Sequence, residues 1–275
     1  MNPWFETIVV VLIALFGVFL GWVFSRLRKS YWLVGYILSL MLIAMPMVTR
    51  CNNSLAFSPL LLWLTAGRIR FVILSLAATI GVVPLLSRLP RKSEKVMTCF
   101  LLCVVVVWFS VLPFLFPAFI KGRLANLETR VDCNGICYQS TNYTCGPAAA
   151  VTALRKLGFT ADEGQIAILS HTNPVAGTLP WCLYSALQQR YGDEGLKCQY
   201  RYFDSIAQLK GAGITLAVVR DTLFSDHCVA VLSVSDRTIT VADPVAGIKL
   251  LSHEEFEKLW RFSGIVLKRD FAESI

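Results

Sequence analysis

The chain has 275 residues, of which 55% are hydrophobic, and carries a formal net charge of +8. Residues 1–130 contain 13 Lys and Arg against 3 Asp and Glu, whereas residues 131–275 contain 13 against 15. The basic excess therefore belongs to the first half, where it lies between apolar runs and not on a soluble domain. This distribution excludes nucleic acid as an expected partner, because such proteins concentrate basic residues on the surface that binds.

Four apolar runs in the first half are long enough, or nearly so, to cross a bilayer of about 30 Å, which takes roughly 20 residues. They cover residues 7–24, 31–48, 70–87 and 97–120. We therefore predict a multi-pass transmembrane region of about four helices over residues 1–124, embedded in the lipid bilayer of the cell membrane. A fifth apolar segment, residues 55–65, is too short to cross and contains Pro59, which favours an interfacial or re-entrant segment.

The loops after the first and third runs are basic, which predicts that both loops are cytoplasmic. They contain Arg26, Arg28 and Lys29, and Arg88, Arg91, Lys92 and Lys95, respectively. With four crossings both termini would then lie outside, so the domain that follows is expected to be extracytoplasmic. Lys121, Arg123 and Arg130, after the fourth run, favour the opposite orientation.

The most distinctive motif of the second half is a cysteine at the start of a predicted helix. Gly146, Pro147 and a run of helix formers follow Cys145, which predicts that the helix begins at the cysteine. Backbone dipoles at a helix N-terminus favour the thiolate, which is the nucleophilic form of a cysteine. Gln139 lies six residues upstream. Its side-chain amide can join the backbone N–H of Cys145 in binding the oxyanion of a tetrahedral intermediate.

A cysteine nucleophile needs a base, and the sequence has three histidines: His171, His227 and His253. His253 follows Ser252 at the start of a predicted helix, where a capping box leaves it solvated. His171 is expected in a loop. His227 begins an apolar run of residues that favour β-structure, which places its ring at the start of a predicted strand. His227 is therefore the predicted base.

The predicted third member of the site is Asp243, which would hold the imidazole in one tautomer and orientation. It ends a predicted strand over residues 238–242, and a turn at residues 235–237 separates this strand from that of His227. Pairing of the two strands as a hairpin places His227 and Asp243 at the same end of the sheet.

Residues 125–275 are predicted to form one α+β domain. Helices are expected at residues 145–157, 161–170, 178–191 and 204–210, and strands at residues 196–203, 214–220, 227–234, 238–242, 248–251 and 265–268. The second helix is expected to begin with a capping box of Thr160 and Glu163. A helical half that carries Cys145 would face a sheet that carries His227 and Asp243 across a cleft.

Gln139, five intervening residues and Cys145, followed by His227 and Asp243-Pro244, resemble the C39 family of papain-like cysteine peptidases. That family is known for domains that cut double-glycine leader peptides, usually fused to an ABC transporter that exports the product. The resemblance implies a papain-like fold with an antiparallel sheet, a peptide or protein substrate, and export-related partners. It also implies roles for the four residues: Cys145 is the nucleophile, His227 the general base and acid, Asp243 the orienting residue, and Gln139 the oxyanion donor.

Two residues depart from the family pattern: Thr144 precedes the cysteine, where the family often has Asp, and Cys228 follows the histidine, where it often has an aromatic residue. Neither takes part in the proposed chemistry. The sequence also lacks the phosphate-binding motif Gly-x-x-x-x-Gly-Lys-Ser/Thr of a transport ATPase. A complete ABC transporter is therefore not expected, and a separate export transporter is the candidate partner.

The sequence thus predicts a membrane-anchored cysteine peptidase that needs no cofactor. A metal site is not expected either, because Cys133 and Cys137 lack a second Cys/His pair nearby. Two alternatives remain open: a catalytically silent domain that captures peptides for an export partner, and a structural or thiol-sensing membrane protein. In an oxidising compartment, bridges from Cys137 to Cys133 or to Cys182 are conceivable, whereas a reducing one would leave packed thiols.

Overall fold

The structure is a computed structural model that describes residues 3–27, 32–58, 61, 68–222 and 225–270. The chain divides into two compact units, Met1–Phe119 and Ile120–Ile275. The first unit is helical and apolar, and the second combines helices with an antiparallel sheet. The predicted fold class is confirmed.

Long apolar helices build the first unit. The helices are α1 (Pro3–Arg26), α2 (Trp32–Cys51), the short α3 (Asn53–Ala56), α4 (Ile69–Leu86), α5 (Lys92–Val106) and α6 (Leu112–Ala125). A π-helical segment, Val107–Val111, joins α5 to α6, so that Lys92–Ala125 forms one apolar helix of 34 residues. That helix, Trp4–Arg26 and Ile69–Leu86 are long and apolar enough to cross a membrane, and the apolar stretch Leu33–Thr49 of α2 is shorter.

These helices correspond to the four apolar runs that the sequence predicts. Of the predicted fifth segment, residues 59–60 and 62–65 lie outside the described residues.

Small residues let α4 approach α1 and α2 closely. At Gly17 an added Cβ would lie 2.1 Å from the hydroxyl oxygen of Thr79. At Gly81 it would lie 2.9 Å from the hydroxyl oxygen of Ser39, which itself donates a 2.9 Å hydrogen bond to the carbonyl of Ala77. Contacts between small residues and hydroxyl bonds to the backbone are typical of helices that pack within a bilayer.

The second unit has a six-stranded sheet. Its helices are α7 (Cys145–Lys156), α8 (Glu163–Leu169), α9 (Pro180–Tyr191), α10 (Ile206–Leu209) and α11 (His253–Leu259), and its strands are β1 (Arg130–Val131), β2 (Cys137–Tyr138), β3 (Leu196–Tyr202), β4 (Ile214–Arg220), β5 (Asp226–Val234), β6 (Thr238–Asp243), β7 (Gly247–Ser252) and β8 (Trp260–Arg269). The large sheet has the order β3-β8-β4-β5-β6-β7, and every pair in it is antiparallel. Strands β1 and β2 form a separate small sheet.

Two hydrophobic cores lie on opposite faces of the large sheet, because successive strand residues point to opposite sides. Ala230 and Ala242 belong to the core that contains most of α7. Their strand neighbours Val229 and Val241 belong to the other core, together with Trp260. Helix α7 is thus packed directly against the middle of the sheet, which gives its first residue a fixed position.

Several boundaries differ from the prediction. Helix α9 begins at Pro180 and not at residue 178, and α10 covers Ile206–Leu209 and not residues 204–210. Helix α8 begins at Glu163 and not at residue 161, and its N-cap is Asp162, whose side chain accepts a 2.8 Å hydrogen bond from the backbone N–H of Gln165. The predicted capping box of Thr160 and Glu163 is therefore wrong, because Glu163 uses its carboxylate elsewhere. The last strand begins at Trp260 and not at residue 265, since Trp260 pairs with Val219 across the sheet.

Candidate active site

Cys145 is the first residue of α7, as predicted. Thr144 before it is fully buried, and its hydroxyl oxygen accepts a 3.1 Å hydrogen bond from the backbone N–H of Thr141. The carbonyl of Thr144 accepts the first helical bond, 3.0 Å long, from Ala148. The thiol is therefore held at the N-terminus of a buried helix, where the backbone dipoles favour negative charge.

His227 and Asp243 meet at the end of two neighbouring strands. His227 lies at the start of β5, and Asp243 is the last residue of β6. The Nε2 atom of His227 lies 2.9 Å from Oδ1 of Asp243, and the two side chains are only 19% and 11% exposed. The carboxylate fixes which ring nitrogen it binds, so Nδ1 is the nitrogen left for another partner.

The other side chain that acts on the His227 imidazole is Cys145, which contributes to the pKa of His227 through hydrogen bonding and through charge. Burial opposes protonation of His227, but the hydrogen bonds to Asp243 and Cys145 and the charges of both groups outweigh it and raise the pKa of His227 to about 9. The structure therefore joins the predicted nucleophile, base and orienting residue in one chain of contacts. These contributions favour the protonated form of the imidazole.

Asp243 has two further donors besides His227. Oδ1 accepts a 2.9 Å bond from the backbone N–H of Val245, and Oδ2 accepts a 2.7 Å bond from Nζ of Lys249. Burial raises the pKa of Asp243, but the hydrogen bonds to His227, Lys249 and Val245 lower it by more than burial raises it. The pKa of Asp243 therefore lies well below its usual range. Asp243 is thus a fixed anion beside the imidazole.

Sequence reasoning missed Lys249. In the β6–β7 hairpin Asp243 pairs with Gly247 and Val241 pairs with Lys249, so the lysine lies diagonally opposite the aspartate. Side chains in this diagonal relation point to the same face of a sheet, within reach of a long residue. A register assigned from the turn could therefore have found it.

Gln139 follows strand β2, and its backbone connects it to the Asp243 hairpin. Its N–H donates a 3.0 Å hydrogen bond to the carbonyl of Pro244. Tyr138 packs against the same hairpin at Gly247, whose φ is +81° and where an added Cβ would lie 2.7 Å from the tyrosine oxygen. The side-chain Oε1 of Gln139 is buried and has no hydrogen-bond partner among the described residues.

The other two histidines lie outside this chain of contacts. Nε2 of His253 lies 3.0 Å from the carbonyl oxygen of Ser235. His171 follows the end of α8 with a φ of +53°. The capping box of Ser252 and Glu255 that the sequence predicts before His253 is confirmed.

None of the nine cysteines, all of which lie in the described part of the chain, forms a disulfide, so neither of the two disulfides considered from the sequence is present. Burial raises the pKa of both Cys137 and Cys198 to about 12, with a smaller contribution from Glu163 at Cys137. Burial, together with the charge of Cys145, also raises the pKa of Cys228 well above its usual value. Among the described residues no cluster of three or more His, Cys, Asp or Glu could hold a metal ion.

The chain belongs to the Peptidase C39 family, whose model matches residues 134–272. This match confirms the resemblance that the sequence motifs indicate. It covers the site residues Gln139, Cys145, His227 and Asp243 and the whole of the six-stranded sheet up to Arg269.

Two relatives each match about half of the chain. An uncharacterized protein of Methanothermobacter marburgensis is 32% identical over 135 residues, which cover 49% of this chain and 89% of the relative. An uncharacterized protein of Methanothermobacter thermautotrophicus is 28% identical over 143 residues, covering 52% of this chain and 94% of the relative.

Among solved structures, the chain is similar to the peptidase domain of Streptococcus ComA, a bifunctional ABC transporter of a quorum-sensing pathway. The identity is 19% and the TM-score 0.43, over 48% of this chain and 96% of that one. It is also similar to a double-glycine-motif protease from an AMS/PCAT transporter in complex with its leader peptide. There the identity is 18% and the TM-score 0.41, over 52% of this chain and 93% of that one.

Proposed function

We propose that the protein is a membrane-anchored cysteine peptidase that cleaves peptide bonds in a peptide or protein substrate. The observation that carries this proposal is the position of His227, which lies 2.9 Å from Asp243 and whose pKa is raised by both Asp243 and Cys145. A thiol, an imidazole and a carboxylate in this order are the components of a nucleophile that a general base activates.

The proposed reaction begins with proton transfer from the Cys145 thiol to His227, which the raised pKa of the imidazole favours. The thiolate attacks the scissile carbonyl carbon, and the electron pair of the C=O bond moves to the oxygen. Gln139 and the backbone N–H of Cys145 stabilise this oxyanion. When the C–N bond breaks, His227 protonates the leaving amine, and a thioester with Cys145 remains. His227 then takes a proton from water, which hydrolyses the thioester.

Asp243 is proposed to act without changing its own protonation state. Its lowered pKa keeps it anionic throughout the neutral range. The anion stabilises the imidazolium that forms when the thiol is deprotonated, and it holds the ring with Nδ1 towards the sulfur.

The experiment that tests this proposal exposes the purified protein to a mixture of peptides and identifies new N-termini by mass spectrometry. We expect cleavage by the wild type and by the matched control Cys133→Ala, which removes an exposed thiol. Cys145→Ala should abolish cleavage, and His227→Ala should reduce it by about 100-fold or more. Cleavage that persists in Cys145→Ala would refute the proposal. Peptides that are bound and released intact would identify a silent binding domain instead.

We also propose that the apolar helices anchor the peptidase unit in the cell membrane, on the extracytoplasmic side. The basic loops after the first and third apolar runs support this orientation. Cys133, which is exposed, can report it in the Cys145→Ala variant. A membrane-impermeant maleimide should label Cys133 in intact cells, and labelling only after permeabilisation would place the unit in the cytoplasm.

The substrate and partner classes follow from the family. Peptidase C39 domains are known for removing leader peptides from exported precursors, so we propose a peptide precursor as substrate and a separate export transporter as partner. Co-purification of the Cys145→Ala variant with such a transporter and an uncleaved precursor would support this assignment. Cleavage restricted to peptides that lack any leader-like segment would contradict it.

A further inference from the structure

Glu163 is a buried carboxylate that the proposed mechanism does not use. It is the first residue of α8 and is fully buried. Its two oxygens bond to one and the same residue: Oε1 accepts a 2.9 Å bond from the backbone N–H of Ser140, and Oε2 accepts a 2.7 Å bond from the Ser140 hydroxyl. The backbone N–H of Glu163 in turn donates a 3.0 Å bond to the hydroxyl of Thr129.

The start of helix α8 does not account for this carboxylate. Asp162 already caps the helix, and Glu163 directs its side chain away from the backbone N–H groups that a cap would satisfy. Within the described ranges, no Lys, Arg or His forms an ion pair with Glu163. An unpaired buried carboxylate is unfavourable unless strong hydrogen bonds compensate. Here both oxygens of Glu163 accept hydrogen bonds from Ser140.

Ser140 directly follows Gln139, the proposed oxyanion donor. The backbone N–H of Gln139 is bonded to the carbonyl of Pro244, next to Asp243. The peptide N–H before the Cα of Gln139 is therefore bonded to the β6–β7 hairpin, which carries Asp243, and the peptide N–H after it is bonded to Glu163. Two fixed neighbouring peptide groups leave this Cα little freedom to move, so the side-chain amide starts from a defined point.

We infer that Glu163 is a positioning residue for the oxyanion site, acting on Gln139 through Ser140. The inference rests on the proposed function, since it assigns a role within the same reaction. An oxyanion donor must lie about 2.7–3.1 Å from the developing negative charge. A displacement of about 1 Å is enough to lower a rate by up to 100-fold. Loss of the Glu163 contacts should therefore weaken oxyanion binding without disabling the thiol.

Two reagents separate an effect on oxyanion binding from an effect on the reactivity of the Cys145 thiol. Iodoacetamide alkylates the sulfur without forming an oxyanion, so its rate at Cys145 reports the thiolate and His227 alone. The peptide aldehyde acetyl-glycyl-glycinal adds to the sulfur to give a hemithioacetal. The thiolate bonds to the carbonyl carbon, the electron pair of the C=O bond moves to the oxygen, and the oxygen takes the proton from His227. Its affinity, measured as protection of Cys145 from iodoacetamide, reports the oxyanion site in addition.

The test uses Glu163→Met, which removes both acceptors but keeps a long side chain, and Glu163→Gln, which can still accept from the Ser140 N–H. Asp162→Asn is the matched control, because it changes the neighbouring carboxylate on the same helix without touching Ser140. We expect Glu163→Met to weaken aldehyde binding by about 10- to 100-fold with less than a twofold change in iodoacetamide rate. Glu163→Gln should restore most of the binding, and Asp162→Asn should change neither reading.

A double variant tests whether Glu163 acts through Gln139. In the Gln139→Ala background the donor is absent, so Glu163→Met should weaken aldehyde binding no further. A full additional loss in that background would overturn the inference, and so would an equal fall of both readings in Glu163→Met alone. Failure of Cys145 to react selectively with iodoacetamide in the wild type would instead refute the proposed function. Ser140→Ala removes the hydroxyl contacts to Glu163 and to the carbonyl of Glu128 but keeps the N–H bond to Glu163, and it should give a smaller loss than Glu163→Met.

Discussion

Replacing Asp243 by Asn should lower the pKa of His227 substantially. In the native site, burial works against protonation of the imidazole, and the hydrogen bonds and charges of Asp243 and Cys145 outweigh that burial. The Asp243→Asn change removes an anion and leaves the burial in place. The remaining balance should then favour the neutral imidazole.

The magnitude follows from the pKa of His227, which is raised from 6.5 to about 9. This difference corresponds to about 3 kcal/mol in favour of the imidazolium. The imidazole is only 19% exposed, so solvent screens these interactions weakly. An opposite charge in contact accounts for about 1–3 pKa units, so we expect the pKa of His227 in Asp243→Asn to fall from about 9 to between about 6 and 8.

The assay is an NMR titration of the imidazole Cε1–H signals, with His171→Gln and His253→Gln used to assign the three histidines. Asp236→Asn is the matched control, because Asp236 pairs with Lys210 at the surface. It should leave the titration of His227 unchanged. A wild-type His227 that titrates at or below 6.5, or one that Asp243→Asn does not affect, would refute the reasoning.

The same shift predicts how stability depends on pH. Because the pKa of His227 is higher in the folded state, its contribution to the free energy of unfolding is fully present below about 6.5 and is lost as the pH rises through about 9. Chemical denaturation of the wild type should therefore show a loss of stability across this window. Asp243→Asn should show a much smaller loss there.

Two further predictions concern the surroundings of the site. Lys249→Met removes a half-exposed cation from Asp243. The free energy of unfolding should therefore fall by about 1 kcal/mol or less above about pH 4, where Asp243 is ionised in both the folded and the unfolded state. Denaturation at a series of pH values should show this difference vanish as Asp243 becomes protonated, and a difference that persists in acid would contradict it. Gly146→Ala would bring a Cβ to 2.9 Å from Cβ of Thr178 and should destabilise the fold by about 1–3 kcal/mol. The control Gly122→Ala meets nothing within 4 Å and should be neutral or stabilising by up to about 1 kcal/mol in thermal unfolding; equal effects of the two changes would contradict the packing argument.

The parts of the site that could be predicted from sequence depend on local signals. The start of helix α7 at Cys145 follows from the glycine, proline and alanine that succeed it, and the structure has the helix at that residue. The closeness of His227 and Asp243 follows from two strands joined by a short turn, since antiparallel neighbours share their ends. These inferences need only the spacing along the chain.

The roles of Lys249 and Glu163 could not be predicted in the same way. Glu163 stands three residues after Thr160, which is the local pattern of a capping box, yet its carboxylate bonds to Ser140 in a different part of the chain. A tertiary contact of this kind overrides the local preference, because a buried carboxylate takes the strongest donors it can reach. Lys249 required the exact pairing of β6 with β7, which composition alone does not give.

The central claim, a working pair of Cys145 and His227, is tested most directly by the pH dependence of iodoacetamide alkylation at Cys145, read by mass spectrometry. Cys133 is the internal reference, because it is an exposed free thiol in the same unit. An ordinary thiol with a pKa of about 8.5 is almost entirely protonated at about pH 6, so Cys145 should react there at least about tenfold faster than Cys133. His227→Ala should abolish this advantage. Equal rates at the two cysteines, or an advantage that survives His227→Ala, would contradict the account.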